Sequence, residues 1–253
     1  MRTRVFTTTM IAVGLALIAS SALGQGAPVR VFASNGFRAV FDDLGPTCER
    51  SIGHRVSAQF GTSTSLKQRV AAGEAFDVAI MTSEAMEDLV KAGSVTAATR
   101  QPLGRSGIGI GVRAGAVKPD IKDAEALKKA LVAAKAITYA GDGASRPHIE
   151  RMVSTMGIAD VMTKKTLLEQ GSVRAAEKVA SGQAQLLITL ISEILPAPGV
   201  DFVGPLPAEF QHYVSFAAAT GTKAANPKAG SALIACLSGP NASAMLKAKG
   251  MER

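Results

Sequence analysis

Apolar residues follow two patterns that alternate along the chain: short continuous runs and spacings of three to four residues. A run at 29–33 precedes a helical spacing over 37–44, and a run at 77–81 precedes a helical spacing over 86–90. Further strand-like segments lie at 55–60, 106–113, 136–140, 185–190 and 213–220. This repeated succession of strand and helix predicts an α/β protein with mostly parallel sheets.

The first 24 residues have the composition of a secretory signal peptide. Arg2 and Arg4 precede an apolar run over 5–19, and small side chains follow in Ala22-Leu23-Gly24. The apolar run is shorter than the roughly 20 residues of a membrane-spanning helix, and no stop-transfer pattern follows it. We therefore expect cleavage after Gly24 and a periplasmic location.

Charge and composition narrow the class of partner. Loss of Arg2 and Arg4, with no acidic residue, lowers the formal charge from +8 to +6. The lysines and arginines are scattered, and the sequence contains no Trp and only two Tyr. This pattern lacks the basic blocks and aromatic residues typical of nucleic-acid binding, so we expect no nucleic-acid partner. A small anion is compatible with the basic balance.

Two cysteines, Cys48 and Cys236, lie far apart and have no neighbours at metal-ligand spacing, so the sequence predicts no zinc site. A disulfide is one interpretation, because an exported protein with an even cysteine count commonly has one. The other is a buried free thiol, since Cys48 continues an apolar stripe with Leu44 and Ile52. The stripe favours the free thiol.

Polar turns follow several predicted strands and open predicted helices. Such turns gather at the carboxyl edge of a parallel sheet, where free amide N–H groups and the positive end of the helix dipole attract an anion. Ordinary N-capping explains any single one of them. The turns are Ser34-Asn35, Thr62-Ser63-Thr64, Gly143-Ala144-Ser145 and Ser172-Val173.

Alternating glycines at Gly107, Gly109 and Gly111 suggest a nucleotide-binding motif only superficially. They lie within an apolar strand-like segment and open no helix, so the phosphate-binding geometry is absent. Glycines placed in this way mark close backbone packing or a flexible crossover.

Histidines give little support to catalysis. Asp142, Ser145 and His148 belong to one turn, and residues of a single turn need not face one another as a hydrolase triad does. His54 and His212 have no acidic partner at ligand spacing, so we interpret both as structural. The sequence thus predicts a protein that is not an enzyme, with a cleft hydrolase as the weakest alternative.

Several segments together resemble the periplasmic molybdate-binding proteins of ABC transporters and their relatives. They are Val31-Phe32-Ala33-Ser34, Phe60 to Leu66, Gly73 to Val78, Ser172-Val173-Arg174 and Gly182-Gln183-Ala184. The resemblance implies a two-lobed type II periplasmic-binding fold with a central, mostly parallel sheet in each lobe. It also implies lobe I over 28–105 and 207–253 and lobe II over 106–206. The crossover segments would lie near 105–112 and 200–207.

The resemblance also implies a ligand site between the lobes. In the molybdate binders hydroxyls and backbone amides hold the oxyanion; the matching hydroxyls here are Ser34 and Ser63, and the matching amides are Ala144 and Val173. Where those proteins place a ligand-binding tyrosine, this chain has Leu190. That departure weakens the case for molybdate and favours a bulkier organic anion.

These observations predict a monomeric solute-binding protein that captures a small anion, with an organic carboxylate favoured over molybdate, for an ABC permease. Arg146 has the fork that suits a carboxylate, although an exposed position in the first turn of a helix is an equal interpretation. The alternatives are a molybdate or tungstate binder and a sensory ligand-presenting protein. No metal, cofactor or catalytic residue is expected. The predicted ligand-binding residues are Ser34, Asn35, Ser63, Thr64, Ala144, Ser145, Arg146, Val173 and Leu190.

Overall fold

A computed structural model describes residues 27–253, so the predicted signal peptide at 1–24 lies outside the described residues. The strands are β1 Val29–Ser34, β2 Val56–Gly61, β3 Val78–Thr82, β4 Gln101–Arg113, β5 Ile137–Ala140, β6 Thr166–Glu169, β7 Leu186–Leu190, β8 Val200–Pro205, β9 Tyr213–Thr220 and β10 Met251–Glu252. The helices are α1 Asn35–Ile52, α2 Ser63–Ala71, α3 Ser83–Lys91, α4 Ala124–Ala133, α5 Arg146–Thr155, α6 Ala159–Thr163, α7 Gly171–Ala180, α8 Ile191–Ile194, α9 Pro227–Ser238 and α10 Ala242–Ala248.

The strands form two halves that share β4. In the first half β2, β1 and β3 run parallel, and antiparallel β9 joins β3 to the beginning of β4. In the second half β6, β5 and β7 run parallel, and the end of β4 pairs antiparallel with β7 and β8. The α/β class and the parallel strands agree with the sequence prediction. The exact lobe boundaries at 105–106 and 206–207 stay a prediction.

Most predicted elements are present within a few residues of their expected bounds. The pattern missed β6, whose middle residues Leu167 and Leu168 are exposed and which therefore shows no buried run. It also placed the start of β4 at Ser106, whereas the strand begins at Gln101. The first five residues of β4 include a proline and a glycine, both uncommon within strands.

Close packing explains two of the alternating glycines. A Cβ atom at Gly109 would lie 2.7 Å from a ring carbon of Phe202, and one at Gly111 would lie 2.8 Å from a methyl carbon of Val200. Both distances are shorter than real Cβ contacts, so β8 can cover β4 only because these positions lack side chains. The packing interpretation of this glycine run is confirmed at both positions.

Aromatic side chains fill the core where α1 packs on the sheet. Phe37 on α1 and Phe216 on β9 are both buried, with ring centroids 6.4 Å apart. Phe41 meets Phe60 of β2 edge-on, with centroids 5.8 Å apart. These contacts fix the first turn of α1 against the carboxyl end of the sheet, which is where the site described below lies.

Asp77 is a buried carboxylate that ties together three segments of the first half. It accepts hydrogen bonds from the backbone and guanidinium of Arg30 and from the backbone N–H groups of Ala225 and Asn226. Burial alone would raise the pKa of Asp77, but these donors together hold it below its usual value. The segment before α9 is thereby fixed to β1.

The two cysteines form a disulfide, so the favoured interpretation of a buried free thiol is wrong. Cys48 on α1 and Cys236 on α9 have Cα atoms 5.8 Å apart. The apolar stripe correctly predicts that Cys48 is buried. However, α9 packs against the same stripe and brings Cys236 next to Cys48. The bond joins two residues that are 188 positions apart in the sequence.

We predict that the paired substitution Cys48→Ser with Cys236→Ser lowers the free energy of unfolding by about 2–5 kcal/mol. The physical reason is that the unfolded chain loses a long-range crosslink and gains conformational entropy. Chemical denaturation of the oxidised wild type, the reduced wild type and the double variant measures the effect. Equal stability of all three proteins would contradict the prediction.

Candidate functional site

The carboxyl ends of the parallel strands from both halves meet around one enclosed cavity. Strands β1, β2 and β3 contribute the residues at their ends from the first half, and β5 and β7 do so from the second. The cavity volume is about 20 Å³, roughly the space for one water molecule. Its lining residues are Ser34, Thr62, Ser63, Thr82, Ala140, Gly143, Ala144, Ser145, Ser172, Leu190, Glu193 and Phe216.

Hydroxyl groups dominate the polar lining, and several keep a proton available. The Ser63 hydroxyl accepts from the backbone N–H of Thr82 at 3.0 Å, which leaves its own hydrogen free to donate. Ser34 and Ser145 occupy the N-cap positions of α1 and α5 but make no capping hydrogen bond. No lysine or arginine of residues 27–253 lines this cavity. The site therefore offers donors without a cation.

Helix N-termini add backbone donors. The 18-residue helix α1 and the 10-residue helices α5 and α7 all begin beside the cavity, and none is capped by the side chain of its own N-cap residue. Asp142 accepts the N–H of Gly171, the first residue of α7, at 2.9 Å. The first-turn amides of α5 already donate to carbonyls of the turn before it, and Pro147 has none, so within residues 27–253 the amides left for an anion are those at the starts of α1 and α7.

Hydrogen bonds join the two halves beside the cavity. The Thr62 hydroxyl donates to Asp142 at 2.8 Å, and the Ser192 hydroxyl donates to the backbone carbonyl of Gly36 at 2.8 Å. Asp142 thus joins α7 of the second half to the start of α2 in the first. In this arrangement the cavity has room for about one water molecule.

Comparison with known proteins gives the family. Residues 29–252 match the profile of the bacterial extracellular solute-binding proteins. The chain belongs to that family. Aconitate isomerase of a Pseudomonas species is 31% identical over 252 residues, which cover 96% of this chain and 95% of that protein.

Solved structures agree with the fold of this solute-binding protein. The periplasmic molybdate-binding protein of Azotobacter vinelandii has a TM-score of 0.75 at 19% identity, covering 89% of this chain and 99% of that one. PEB3 of Campylobacter jejuni, solved with L-phospholactate, has a TM-score of 0.68 at 18% identity, covering 89% and 99%. The predicted periplasmic-binding fold is thereby confirmed, and the resemblance to the molybdate-binding group is supported.

The structure brings five of the nine predicted ligand residues to the cavity of this solute-binding protein: Ser34, Ser63, Ala144, Ser145 and Leu190. The other four line two larger openings beside it. Asn35, Thr64 and Arg146 line a mouth of about 700 Å³, and Asn35 and Val173 line a side opening of about 420 Å³. Their role in ligand binding stays a prediction.

Arg146 points along its own helix rather than into the cavity. Its guanidinium donates to Glu150 at 2.7 Å and to the carbonyl of Gly141 at 2.7 Å. The ion pair with Glu150 raises the pKa of Arg146, so its charge is permanent. Two of the five N–H donors are engaged, and the rest are available at the mouth.

Sequence reasoning missed Glu193, the acid of this site. Glu193 lies on α8, and its carboxyl accepts hydrogen bonds from the hydroxyls of Ser172 at 2.8 Å and Thr189. Part of the residue is accessible from the side opening, whereas the carboxyl group itself is surrounded by protein. Burial raises the pKa of Glu193, the charge of Asp142 adds to the rise, and the two hydroxyls partly oppose it.

A signal for Glu193 was present in the sequence. It is the single charged residue in the apolar segment from Leu186 to Leu195, where an unpaired charge is costly. Within residues 27–253 the structure shows no cluster of three His, Cys, Asp or Glu side chains suited to a metal ion. The polar side chains that line the cavity are hydroxyls, which form hydrogen bonds, and the carboxyl of Glu193, which can also take up or release a proton.

His212, which we interpreted as structural, stacks on His148 of the rejected hydrolase triad. The rings of His148 on α5 and His212, just before β9, have centroids 3.4 Å apart. Burial lowers the pKa of His148, and His212 and Arg151 lower it further, while Glu84 opposes them. The pair links α5 of the second half to the segment that leads into β9, and it does not line the cavity.

We predict that Ser63→Ala lowers the free energy of unfolding by about 1–3 kcal/mol, because the buried Thr82 N–H loses its acceptor. Ser34→Ala is the matched control: it is equally buried, but its hydroxyl caps nothing, so stability should change by less than about 0.5 kcal/mol. Urea denaturation of both variants measures the difference. Equal destabilisation would show that the Ser63–Thr82 bond is not what stabilises this edge.

Proposed function

We propose that this protein captures a small organic polycarboxylate between its two halves and presents it to an ABC permease in the periplasm. The observation that carries the proposal is the position of the hydrogen-bond donors and of the arginines around the cavity. Hydroxyls and uncapped helix N-termini surround the centre, while Arg146 lines the mouth and Arg38 lines the side opening. The centre suits one carboxylate, and each arginine lies where a further carboxylate of a longer ligand would extend.

A compact tetrahedral oxyanion would use the centre alone. Leu190 presents an apolar wall there, at the position where the resembled molybdate binders have a phenol. The 31% identical relative is named for aconitate, a tricarboxylate, and PEB3 was solved with L-phospholactate, which carries a carboxylate. These observations support an organic anion over molybdate or tungstate.

Capture would follow from an open–closed equilibrium. The enclosed volume excludes a polycarboxylate until the halves separate, and donors to the ligand come from both halves. A ligand that both halves contact stabilises only the closed form and so shifts the equilibrium toward it. The permease, or a sensory partner in the alternative, would recognise that closed shape.

We predict that tricarballylate and trans-aconitate bind more tightly than succinate, and succinate more tightly than molybdate. A ligand at 100 times its dissociation constant should stabilise the protein by about 2.7 kcal/mol. Thermal unfolding ranks the anions, and titration calorimetry gives their dissociation constants. Tight binding of molybdate with no response to any carboxylate would reject the ligand class.

Two variants, measured in the same experiment, test whether Arg146 binds the outer carboxylate of the ligand. Arg146→Gln should weaken tricarballylate by about tenfold or more and leave molybdate unchanged, because only the longer anion reaches the mouth. Arg151→Gln, on the same helix but outside the lining, is the control. Equal loss in both variants would point to general electrostatics.

A second candidate is isomerisation of an unsaturated polycarboxylate, favoured by the named activity of the 31% identical relative and by a carboxyl within the cavity. A base would remove a proton from the methylene carbon beside the double bond and return a proton to the far vinylic carbon. The double bond then shifts by one carbon, with no net gain or loss of atoms or electrons. Glu193 is the lining residue able to take and return that proton.

We predict for this candidate that cis-aconitate converts to the trans isomer with incorporation of deuterium from D₂O, followed by proton NMR. Glu193→Gln should keep most of the binding affinity and lose the conversion, since an amide cannot accept the proton. Binding of cis-aconitate without conversion above the protein-free rate would leave the protein as a binder alone.

A further inference from the structure

The carboxyl of Glu193 shares its cavity with the hydroxyls proposed to hold an anion. Ser172, whose hydroxyl donates to Glu193, also lines the cavity and lies in the first turn of α7. The second oxygen accepts from Thr189, at the end of β7. Any anion held by the α7 N-terminus and by Ser172 is therefore a direct neighbour of this carboxyl.

No cation of the described residues pairs with that carboxyl. The charged group that acts on it is Asp142, another acid, which is held by Thr62 and the N–H of Gly171. Toward the side opening lie Arg38, which pairs with Asp42 at 3.6 Å, and Glu177 on the exposed face of α7. Neither side supplies a hydrogen bond from a positive group to Glu193 within residues 27–253.

An ionised Glu193 and a bound anion would be two like charges in a site largely shielded from water. Such a pair is strongly unfavourable, as in carboxylate pairs that share one proton. A neutral carboxyl removes the repulsion and gains an O–H group that can donate to the ligand. The two hydroxyls that now donate to Glu193 can rotate toward either partner.

We propose that Glu193 is the proton-linked residue of this site, so that anion capture takes up one proton from solution and is selective for the protonated form of the protein. The inference deepens the proposed function and rests on it in one respect, namely that an anion binds in this cavity. It does not depend on which anion binds. A Glu193 that is protonated in the complex cannot start isomerisation as the base, so the inference belongs to the binding protein and not to the isomerase candidate.

The direction of the pH dependence follows from the linkage between proton binding and anion binding. Because the bound anion favours the proton on Glu193, affinity rises as pH falls and declines as pH rises through the range where the free site loses its proton. For one proton the limiting slope is about tenfold in dissociation constant per pH unit. The proton comes from the buffer, so the apparent binding enthalpy depends on the ionisation enthalpy of the buffer.

The test is titration calorimetry with tricarballylate, a saturated tricarboxylate that cannot isomerise, from about pH 5.5 to pH 8.5 in two buffers of different ionisation enthalpy. Wild type should take up as much as one proton and weaken toward high pH. Glu193→Gln should still bind tricarballylate. It should take up no proton, and its dissociation constant should lose the part of the pH dependence that Glu193 causes. Glu125→Gln makes the same charge change at an exposed position of α4, at a residue that lines neither the cavity nor its two openings, and should behave as wild type.

The carboxylates of the ligand also titrate with pH, but they do so equally with all three proteins. Comparing the proteins at the same pH therefore removes the contribution of the ligand. Uptake that persists in Glu193→Gln would assign the proton to another group, such as the His148–His212 stack, and overturn the proposal. Absence of proton uptake in the wild type would overturn it as well. If Glu193→Gln does not fold, the carbon-13 shift of the Glu193 carboxyl in wild type, with and without ligand, decides the same question.

Failure of the proposed ligand class is distinguishable from failure of this inference. If tricarballylate does not bind but molybdate does, the carboxylate proposal falls, and the same titrations with molybdate still measure proton uptake at Glu193. If neither anion binds, both proposals fall together.

Discussion

Strand β4 is the constraint on which both halves of the molecule depend. Its first part completes the sheet of the first half through β9, and its last part completes the second through β7 and β8. One continuous strand is thus hydrogen-bonded in both halves. It fixes the position of the parallel strands β2-β1-β3 relative to β6-β5-β7 where the two halves join. Gly109 and Gly111 are needed there, since any side chain would push β8 away.

That arrangement makes the carboxyl edges of the two sets of parallel strands face one space. Each parallel strand of the β2-β1-β3 and β6-β5-β7 sets ends at this edge, and the turns that follow supply hydroxyls and, at α1 and α7, helix N-terminal amides. At the same edge the side chains of Thr62 and Thr82 do cap their helices, α2 and α3. The hydroxyls of Ser34 and Ser145 make no such capping bond and so remain available to a ligand.

The contacts across the cavity are few and individually small. A hydrogen bond such as Thr62 to Asp142 or Ser192 to Gly36 contributes on the order of 1 kcal/mol net, because water replaces it on opening. A ligand that donors of both halves contact would exceed that amount readily. Closure governed by ligand is thus energetically accessible, whereas the disulfide and Asp77 keep the first half itself rigid.

The sequence by itself determined the α/β class, the order of most strands and helices, and the family resemblance. Apolar periodicity and polar turns are local properties, and they locate Ser34, Ser63 and Ser145 at strand ends without knowledge of the partner half. Only the tertiary structure decided the Cys48–Cys236 bond, the engagement of Arg146 by its own helix, and the presence of Glu193 among the hydroxyls. Each of those depends on which distant segments pack together, and a single side chain in an apolar run carries no record of the neighbours that will surround it.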